Sequence, residues 1–132
     1  MNLILSSYAD NAKASEIPIT ISVTATDFSR FQITDLCSLL SNALDNAIRA
    51  CSQIPYTEGR YIHLKVYEKN EQLCINLANS YEEQPIFENN IPISQRSGHG
   101  YGVQSIISVV DKYQGIYGFF VENGEFRFQA SL

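Results

Sequence analysis

The chain has 132 residues, 45% of them hydrophobic and 17% charged, which suits one globular domain with a hydrophobic core and no disordered block. Its net charge of −5 argues against a nucleic-acid partner, which would favour a basic surface. No apolar run is long enough to span a membrane and the N-terminus lacks a signal-peptide pattern, so we expect no membrane contact by this chain itself.

The first part of the chain predicts a short helix followed by a strand. A mildly apolar helical pattern covers residues 2–15 and stops before Pro18, which cannot continue a helix. Isoleucine and valine then alternate with polar residues over positions 17–25, which predicts a strand with one buried face. After a connector, Thr34 suits the N-cap of a second helix, with Asp35 in its first turn.

That second helix, predicted from Leu36 to Cys51, is amphipathic and has an unusual polar side. Its apolar residues recur at the helical repeat, as in a helix packed on a core. Within roughly 100° of arc on the other side lie Asn42, Asp45, Asn46 and Arg49. Asparagine is a poor helix former, so two of them one turn apart invite a functional explanation, although a solvated face would also account for them.

Two hairpins are predicted from alternating apolar residues. The first covers residues 62–79, and its returning strand places Asn79 on the same face as the apolar residues before it. Asn79 should therefore point toward the central helix, although an asparagine that ends a strand is also common simply as a turn residue. The second hairpin, residues 116–130, turns at Asn123-Gly124.

Between the hairpins, residues 81–97 lose all periodicity, which predicts either a functional lid or a disordered stretch. This segment leads into the sequence SGHGYGV at residues 97–103, where glycines alternate directly before a helix predicted from Val103 to Lys112. Such a loop lets the backbone approach an anion while the free N–H groups of the helix attract it, so phosphate is the natural ligand. A flexible glycine-rich hinge is the alternative.

Neither of two familiar phosphate loops fits this segment. A Walker A loop requires G-x-x-x-x-G-K-[ST], which no glycine here begins. A dinucleotide fingerprint requires a third glycine where Val103 stands. The order of helices and hairpins instead predicts an α+β fold, a two-layer α/β sandwich with helices on one face of a mixed, mostly antiparallel sheet.

The three cysteines, Cys37, Cys51 and Cys74, lie within apolar patterns. They cannot all pair and have no C-x-x-C spacing, so we expect free thiols and no metal site among them. Free thiols are consistent with a reducing, cytoplasmic location.

Three segments together carry a family resemblance: LLSNALDNAIRA, INLANS and GHGYGVQSI. They resemble the N-box, the adenine-binding box and the second glycine box of the ATP-binding domain shared by histidine kinases, type II topoisomerases, heat-shock chaperone ATPases and mismatch-repair ATPases, the Bergerat or GHKL fold. The similarity is greatest to the catalytic domain of peptide-quorum-sensing sensor histidine kinases. It implies that residues 16–132 are an ATP-binding catalytic domain and residues 1–15 the tail of a dimerisation hairpin.

The resemblance also implies roles for individual residues. Asn46 matches the asparagine that ligates the Mg²⁺ bridging the phosphates, and Asn42 would contact a phosphate or the metal shell. Arg49 matches a basic position that reaches phosphate oxygens. Asn79 falls where the family has an Asp that accepts from the adenine 6-amino group, a bond that an Asn carbonyl can also accept. The implied lid and phosphate-loop contacts are Arg96, Gly98, Gly100, Tyr101, Gly102 and Val103.

Position 42 distinguishes two branches of the family. The hydrolases carry a Glu there as a general base, whereas the amide of Asn42 cannot accept a proton from water. The resemblance therefore implies transfer of the ATP γ-phosphoryl to a His on a separate helical hairpin, not present in this chain, with a response regulator as an indirect partner. His63, on an outward strand face, and His99, in the glycine loop, lack the context of an acceptor. The chain would then be the cytoplasmic C-terminal domain of a membrane receptor.

Two other functions fit the same residues. A serine kinase of the anti-sigma type has no hairpin of its own. A degenerate nucleotide-binding module without transfer activity would fit the lack of a first glycine box after Asn79.

Overall fold

A computed structural model describes residues 1–93 and 101–132 of the chain. The helices are α1 (Asn2–Ala14), α2 (Ile33–Ser52) and α3 (Tyr101–Lys112). The strands are β1 (Ile19–Val23), β2 (Ile62–Lys69), β3 (Gln72–Ser80), β4 (Ile86–Glu88), β5 (Ile91–Ile93), β6 (Ile116–Glu122) and β7 (Glu125–Ser131). No helix in these two ranges is both long and apolar enough to cross a membrane.

Five of the strands form one sheet in the order β1-β2-β3-β7-β6. β1 runs parallel to β2 and the other neighbours pair antiparallel, so the sheet is mixed and mostly antiparallel, as predicted. α2 packs against α1 and α3, and the three helices contact β1, β3 and β6 respectively. The predicted two-layer α+β fold is therefore confirmed.

The hydrophobic core lies between α2 and one face of the sheet. The buried residues of α2 are the predicted apolar face, Leu36, Leu39, Leu40, Ala43, Leu44, Ala47 and Cys51. The register of β2 and β3 pairs Leu64 with Leu77 and Ile62 with Asn79, so Asn79 continues the apolar inner face. Only 2% of Asn79 is exposed, which places a polar carboxamide inside the core layer beside α2, as predicted.

Both predicted hairpins turn on two residues with positive φ. Asn123 and Gly124 have φ of 53° and 77°, and Asn70 and Glu71 have φ of 54° and 64°. Positive φ at both central residues is the turn geometry whose twist matches that of paired strands. Asn-Gly adopts it at little cost, whereas Glu71 is held there by the pairing of β2 with β3.

Part of the predicted lid is ordered, which corrects the expectation of an irregular segment over residues 81–97. β4 and β5 pair antiparallel across a turn at Asn89 and Asn90, whose φ values are 53° and 63°. Asparagine tolerates the left-handed region, so Asn-Asn acts here as Asn-Gly does elsewhere. Residues 94–97 of the segment lie outside the described residues.

α2 begins earlier than the sequence predicted. Its N-cap is Gln32, so Thr34 lies inside the first turn and the prediction of Thr34 as the N-cap is wrong. The reason is tertiary, because the Gln32 N–H donates to the Tyr113 hydroxyl at 3.0 Å and this contact holds the chain where the helix starts. Asp35 does lie in the first turn, as expected.

The predicted buried face of β1 is only partly covered. Ile19 and Ile21 are half-buried and Val23 is exposed, whereas Ile17, just before the strand, is buried. β1 is an edge strand of the sheet, so it has a neighbouring strand on one side only.

Gly115, just past α3, is needed for close packing rather than for a left-handed helix cap. Gln114, not Gly115, takes the left-handed conformation, with φ of 57°. The Gly115 N–H donates to the Val110 carbonyl at 2.9 Å and closes the helix end. A Cβ on Gly115 would overlap the carbonyl oxygen of Ser131, so glycine is needed for close approach to β7.

Candidate functional site

A cavity of about 360 Å³ lies between α2, the sheet and the β4–β5 hairpin. Its apolar walls come from Ala43, Ala47 and Ala50 of α2 and from Leu77, Phe119, Phe126 and Phe128 of the sheet. The small alanines leave room where larger helix residues would fill the space. Its polar lining includes Asn46, Arg49, Gln53, Asn79, Glu83 and Gln84. A mainly apolar cavity of this size with a few polar groups is typical of a small-molecule site.

Aromatic rings attach the β4–β5 hairpin to one side of this cavity. The Phe87 ring stacks on Phe126 with centroids 6.1 Å apart and an angle of 17°. Phe126 in turn lies 6.4 Å from Phe119, which stacks on Phe128 at 5.0 Å. These rings give the cavity planar apolar surfaces, which suit a flat ligand ring.

Asn79 gives the cavity a hydrogen-bond acceptor. Its Nδ2 donates to the Ser80 carbonyl oxygen at 2.9 Å. A carbonyl oxygen can only accept, so this contact decides which amide atom faces Ser80 and leaves Oδ1 for a ligand. Within residues 1–93 and 101–132, no side chain or backbone group donates to Oδ1. The site can therefore accept one hydrogen bond from a ligand N–H.

Two amide oxygens converge beside the start of α3. A Cβ placed on Gly102 would lie 3.3 Å from Oδ1 of Asn42 and 3.7 Å from Oδ1 of Asn46. Asn42 donates its Nδ2 to the Ser38 carbonyl at 2.8 Å, which directs its Oδ1 away from its own helix. The first N–H groups of α3 have no partners within the helix. Hard oxygen ligands next to a helix N-terminus suit a phosphate with its metal ion.

Arg49 adds positive charge at the same place. It is exposed, lines the cavity, and its Nη1 donates to Asn46 Oδ1 at 3.3 Å. Val103, in the first turn of α3, lines the cavity as well. Arg49 and Val103 therefore lie where the apolar cavity meets the polar side of α2.

The structure brings together six of the residues that the sequence singled out, namely Asn42, Asn46, Arg49, Asn79, Gly102 and Val103. Arg96, Gly98, His99, Gly100 and the side chain of Tyr101 lie outside the described residues. His63 is exposed on the outer face of the sheet, as predicted. Its ring lies 5.2 Å from that of Tyr61. The binding roles of all these residues stay predictions.

Sequence reasoning did not single out the aromatic wall of the cavity. Phe126 and Phe128 alternate along β7, which indicated only a buried face. They lie next to Asn79 because of the β3–β7 register, which pairs Asn79 with Phe126. That register joins residues far apart in the chain, so no local pattern reveals it.

The family model described as the GHKL domain matches residues 31–132, more than half of the chain. A search of curated protein sequences finds no match.

Solved structures with a similar fold include three histidine kinase domains. The catalytic domain of histidine kinase ThkA is 16% identical, with a TM-score of 0.76 over 99% of this chain and 89% of that one. The mycobacterial sensor histidine kinase MprB is 16% identical, with a TM-score of 0.75 over 100% and 94%. The histidine kinase domain of the Erythrobacter litoralis EL346 blue-light activated histidine kinase is 12% identical, with a TM-score of 0.73 over 96% and 56%. These TM-scores show that the fold is shared, and at identities this low the likeness shows the fold alone.

Proposed function

Because this chain belongs to the GHKL family, we propose that it binds ATP with Mg²⁺ in the cavity beside α2 and is the catalytic domain of a sensor histidine kinase. The observation that carries this proposal is the arrangement of its amides. Asn42 and Asn46 converge beside Gly102 at the start of α3, and Asn79 lines the cavity that Asn46 also lines. One ligand could contact both places, with a flat ring beside Asn79 and a phosphate chain beside Asn42 and Asn46.

The base would occupy the apolar part of the cavity. Phe126 and the α2 alanines offer apolar surface for a purine. Asn79 Oδ1 is the acceptor that an exocyclic amino group needs, because Nδ2 is engaged by Ser80. Adenine carries its amino group at position 6, where guanine has an oxygen that cannot donate, so at that edge ATP or ADP fits better than a guanine nucleotide.

The residues beside Gly102 fit a magnesium ion. Mg²⁺ prefers oxygen ligands and retains several waters, and Asn42 and Asn46 present two amide oxygens there. Asn46 would be the direct ligand, with Asn42 contacting a phosphate or the metal's waters. When bound, the ion would neutralise phosphate charge during transfer. Arg49 would contact phosphate oxygens from the exposed side of α2.

The reaction that suits these residues is phosphoryl transfer to an outside acceptor. Asn42 has no basic group for deprotonating water, so hydrolysis is not the expected reaction. His63 lies on the outer face of the sheet, whereas Asn79 lies on the inner face, so His63 cannot reach the γ-phosphate. The acceptor would be a histidine on a separate helical hairpin of the same receptor, in the cytoplasm. From there the phosphoryl group would pass to a response regulator.

α1 would connect the domain to that hairpin. Leu5 and Ala12 are buried in the same core as α2, so α1 is packed onto the domain. If the acceptor hairpin ends in α1, it would be linked to the site through α1, which packs on α2, the helix that carries Asn42 and Asn46.

Calorimetric titration tests binding. We expect heat from ATP and ADP, and tighter binding of ATP when Mg²⁺ is present. No heat from either nucleotide at millimolar concentration would contradict the proposal.

Incubation with γ-labelled ATP tests the reaction class. We expect negligible hydrolysis and no label on the chain alone. Adding the helical hairpin of its own receptor should give acid-labile, base-stable phosphate on that hairpin, as for phosphohistidine. Base-labile, acid-stable label on a partner would indicate a serine kinase, no label on the hairpin would indicate a module without transfer activity, and rapid hydrolysis would contradict the assignment.

A further inference from the structure

The carboxamide of Asn79 is held in one orientation by the backbone of the next residue. Nδ2 donates to the Ser80 carbonyl at 2.9 Å, and the two residues are 2% and 7% exposed. Flipping the amide would place its oxygen against the Ser80 carbonyl oxygen in a buried position, where two facing acceptors are costly. An ionised aspartate has only acceptor oxygens and would face the same conflict in either orientation.

The Ser80 carbonyl is itself held in place from α2. Cys51, which is fully buried, has its Sγ 3.4 Å from the Ser80 carbonyl oxygen and 3.3 Å from that of Tyr61. Burial raises the pKa of the Cys51 thiol, so at neutral pH it keeps its hydrogen, which the two carbonyls share. The Ser80 carbonyl oxygen therefore faces two donors, the Cys51 thiol on α2 and Nδ2 of Asn79.

The start of β2 holds Ser80 from the other side. The Tyr61 N–H donates to Ser80 Oγ at 2.9 Å, and the Ser80 N–H donates to the Tyr61 carbonyl at 3.2 Å. Ser80 is therefore tied to Tyr61 through both its backbone and its side chain. Its carbonyl cannot turn without breaking buried hydrogen bonds.

We propose that Cys51 and Ser80 are positioning residues for Asn79, which keep its Oδ1 directed at the ligand. The proposal rests on the proposed function, because it assumes that a nucleotide base occupies the cavity. In this chain the base is then recognised by an oriented amide rather than by a carboxylate. Aspartate, which the resemblance implies for the wider family at this position, is expected to work less well here than asparagine.

The test compares ATP with inosine triphosphate, which has an oxygen in place of the 6-amino group. Affinities of both are measured by calorimetry for the wild type, Asn79→Asp, Cys51→Ala and Cys51→Ser. Cys74→Ala is the matched control, because Cys74 is a half-buried free cysteine in β3 whose Sγ has only a long contact, 3.9 Å, to Ser131 Oγ among the described residues. Thermal melts confirm that each variant is folded.

We expect the wild type to prefer ATP by about 10-fold or more, since inosine leaves Oδ1 facing an oxygen. Asn79→Asp should weaken ATP binding by about 10-fold. Cys51→Ala should reduce the ATP preference by roughly 3-fold, whereas Cys51→Ser, which retains a donor, should keep it. Cys74→Ala should behave as the wild type.

Three results would overturn the inference while leaving the proposed function in place. The first is equal binding of ATP and inosine triphosphate by the wild type. The second is an Asn79→Asp variant that binds ATP as well as the wild type. The third is a Cys51→Ala variant that weakens both nucleotides equally, which would show that Cys51 contributes packing alone. If Asn79→Asp does not fold, the comparison of Cys51→Ala with Cys51→Ser decides. If the wild type binds no nucleotide at all, that result counts against the proposed function instead.

Discussion

The side chains of Asn42 and Asn46 lie one turn apart on α2 but have different partners. Asn42 is fixed by the bond from its Nδ2 to the Ser38 carbonyl at 2.8 Å. Among the described residues, the side chain of Asn46 has one hydrogen bond, which it accepts at 3.3 Å from the exposed Arg49. A long hydrogen bond from an exposed arginine contributes little to stability, so breaking it costs little free energy. Asn46 is therefore the amide that can turn to a metal ion, while Asn42 presents its oxygen in a set direction.

Replacing Asn46 by alanine tests this difference. We expect Asn46→Ala to lose the part of ATP affinity that depends on Mg²⁺ and to keep its fold. Alanine is the better helix former, so the free energy of unfolding should hold or rise by up to about 0.5 kcal/mol. Calorimetry with and without Mg²⁺ and urea denaturation measure the two effects.

Asn11→Ala is the matched control, because Asn11 is an exposed asparagine within α1. It should gain similar helix stability and bind ATP as the wild type does. If Asn46→Ala unfolds, or keeps its Mg²⁺ dependence, Asn46 is a structural residue.

Among the elements, α2 and α3 form an antiparallel pair with contacts at both ends of α3. Asn42 and Asn46 lie beside Gly102, and the start of α2 lies beside the end of α3, where Asp35 meets Lys112 at 2.8 Å. A glycine costs about 1 kcal/mol relative to alanine inside a helix. Here it lets the backbone of α3 approach the two amides, so we interpret that cost as a requirement of the site.

Gly102→Ala tests this interpretation. The new Cβ would lie 3.3 Å from Asn42 Oδ1, so that carboxamide must shift. We expect ATP binding to weaken by roughly 10-fold while the melting temperature stays the same or rises, because alanine favours the helix.

Gly118→Ala in β6 is the control, since a Cβ there meets nothing within 4 Å. It should leave ATP affinity unchanged. Unaltered affinity in Gly102→Ala would mean that the close approach has no role in binding.

The stability of the whole molecule depends in part on a polar cluster that joins the start of α2 to the end of α3. Its members are Asp35, Lys112, Tyr113 and Gln32. Asp35 Oδ2 accepts from Lys112 Nζ at 2.8 Å and from the Tyr113 hydroxyl at 2.5 Å. These hydrogen bonds, from Lys112 first and Tyr113 second, lower the pKa of Asp35. A carboxyl that is more acidic when folded stabilises the fold above its unfolded pKa, and this contribution is lost as the pH falls through the lowered value.

Asp35→Asn should therefore change how stability depends on pH. We expect the wild type to lose stability as the pH falls from about 5 to below 4, and Asp35→Asn to start lower at pH 7 and lose less. Tyr113→Phe, which removes one of the two donors, should fall between them. Urea denaturation from pH 7 to pH 3 measures the slopes.

Part of the acid loss should persist in Asp35→Asn. The pKa of Asp27 is also lowered, by hydrogen bonds from Ser29, and that of Glu68 by the backbone N–H groups of Asp27 and Thr26. Identical slopes in the wild type and Asp35→Asn would show that the cluster does not contribute to acid sensitivity.

Several features could be predicted because they depend on residues close in the chain. The 3.6-residue repeat from Leu36 to Cys51 placed the apolar face of α2, and its polar side followed from the same repeat. Alternation placed Asn79 on the inner face of β3, and Asn123-Gly124 indicated the second hairpin turn. The candidate residues were found in this way together with the family resemblance of their short motifs.

The sequence by itself thus determined the helices, the two long hairpins and the amides of the candidate site. The tertiary structure alone decided where α2 starts and that Phe126 and the β4–β5 hairpin line a cavity. The physical reason is distance along the chain. The Gln32 contact with Tyr113 and the pairing of Asn79 with Phe126 form only after the chain has folded, so no local pattern encodes them.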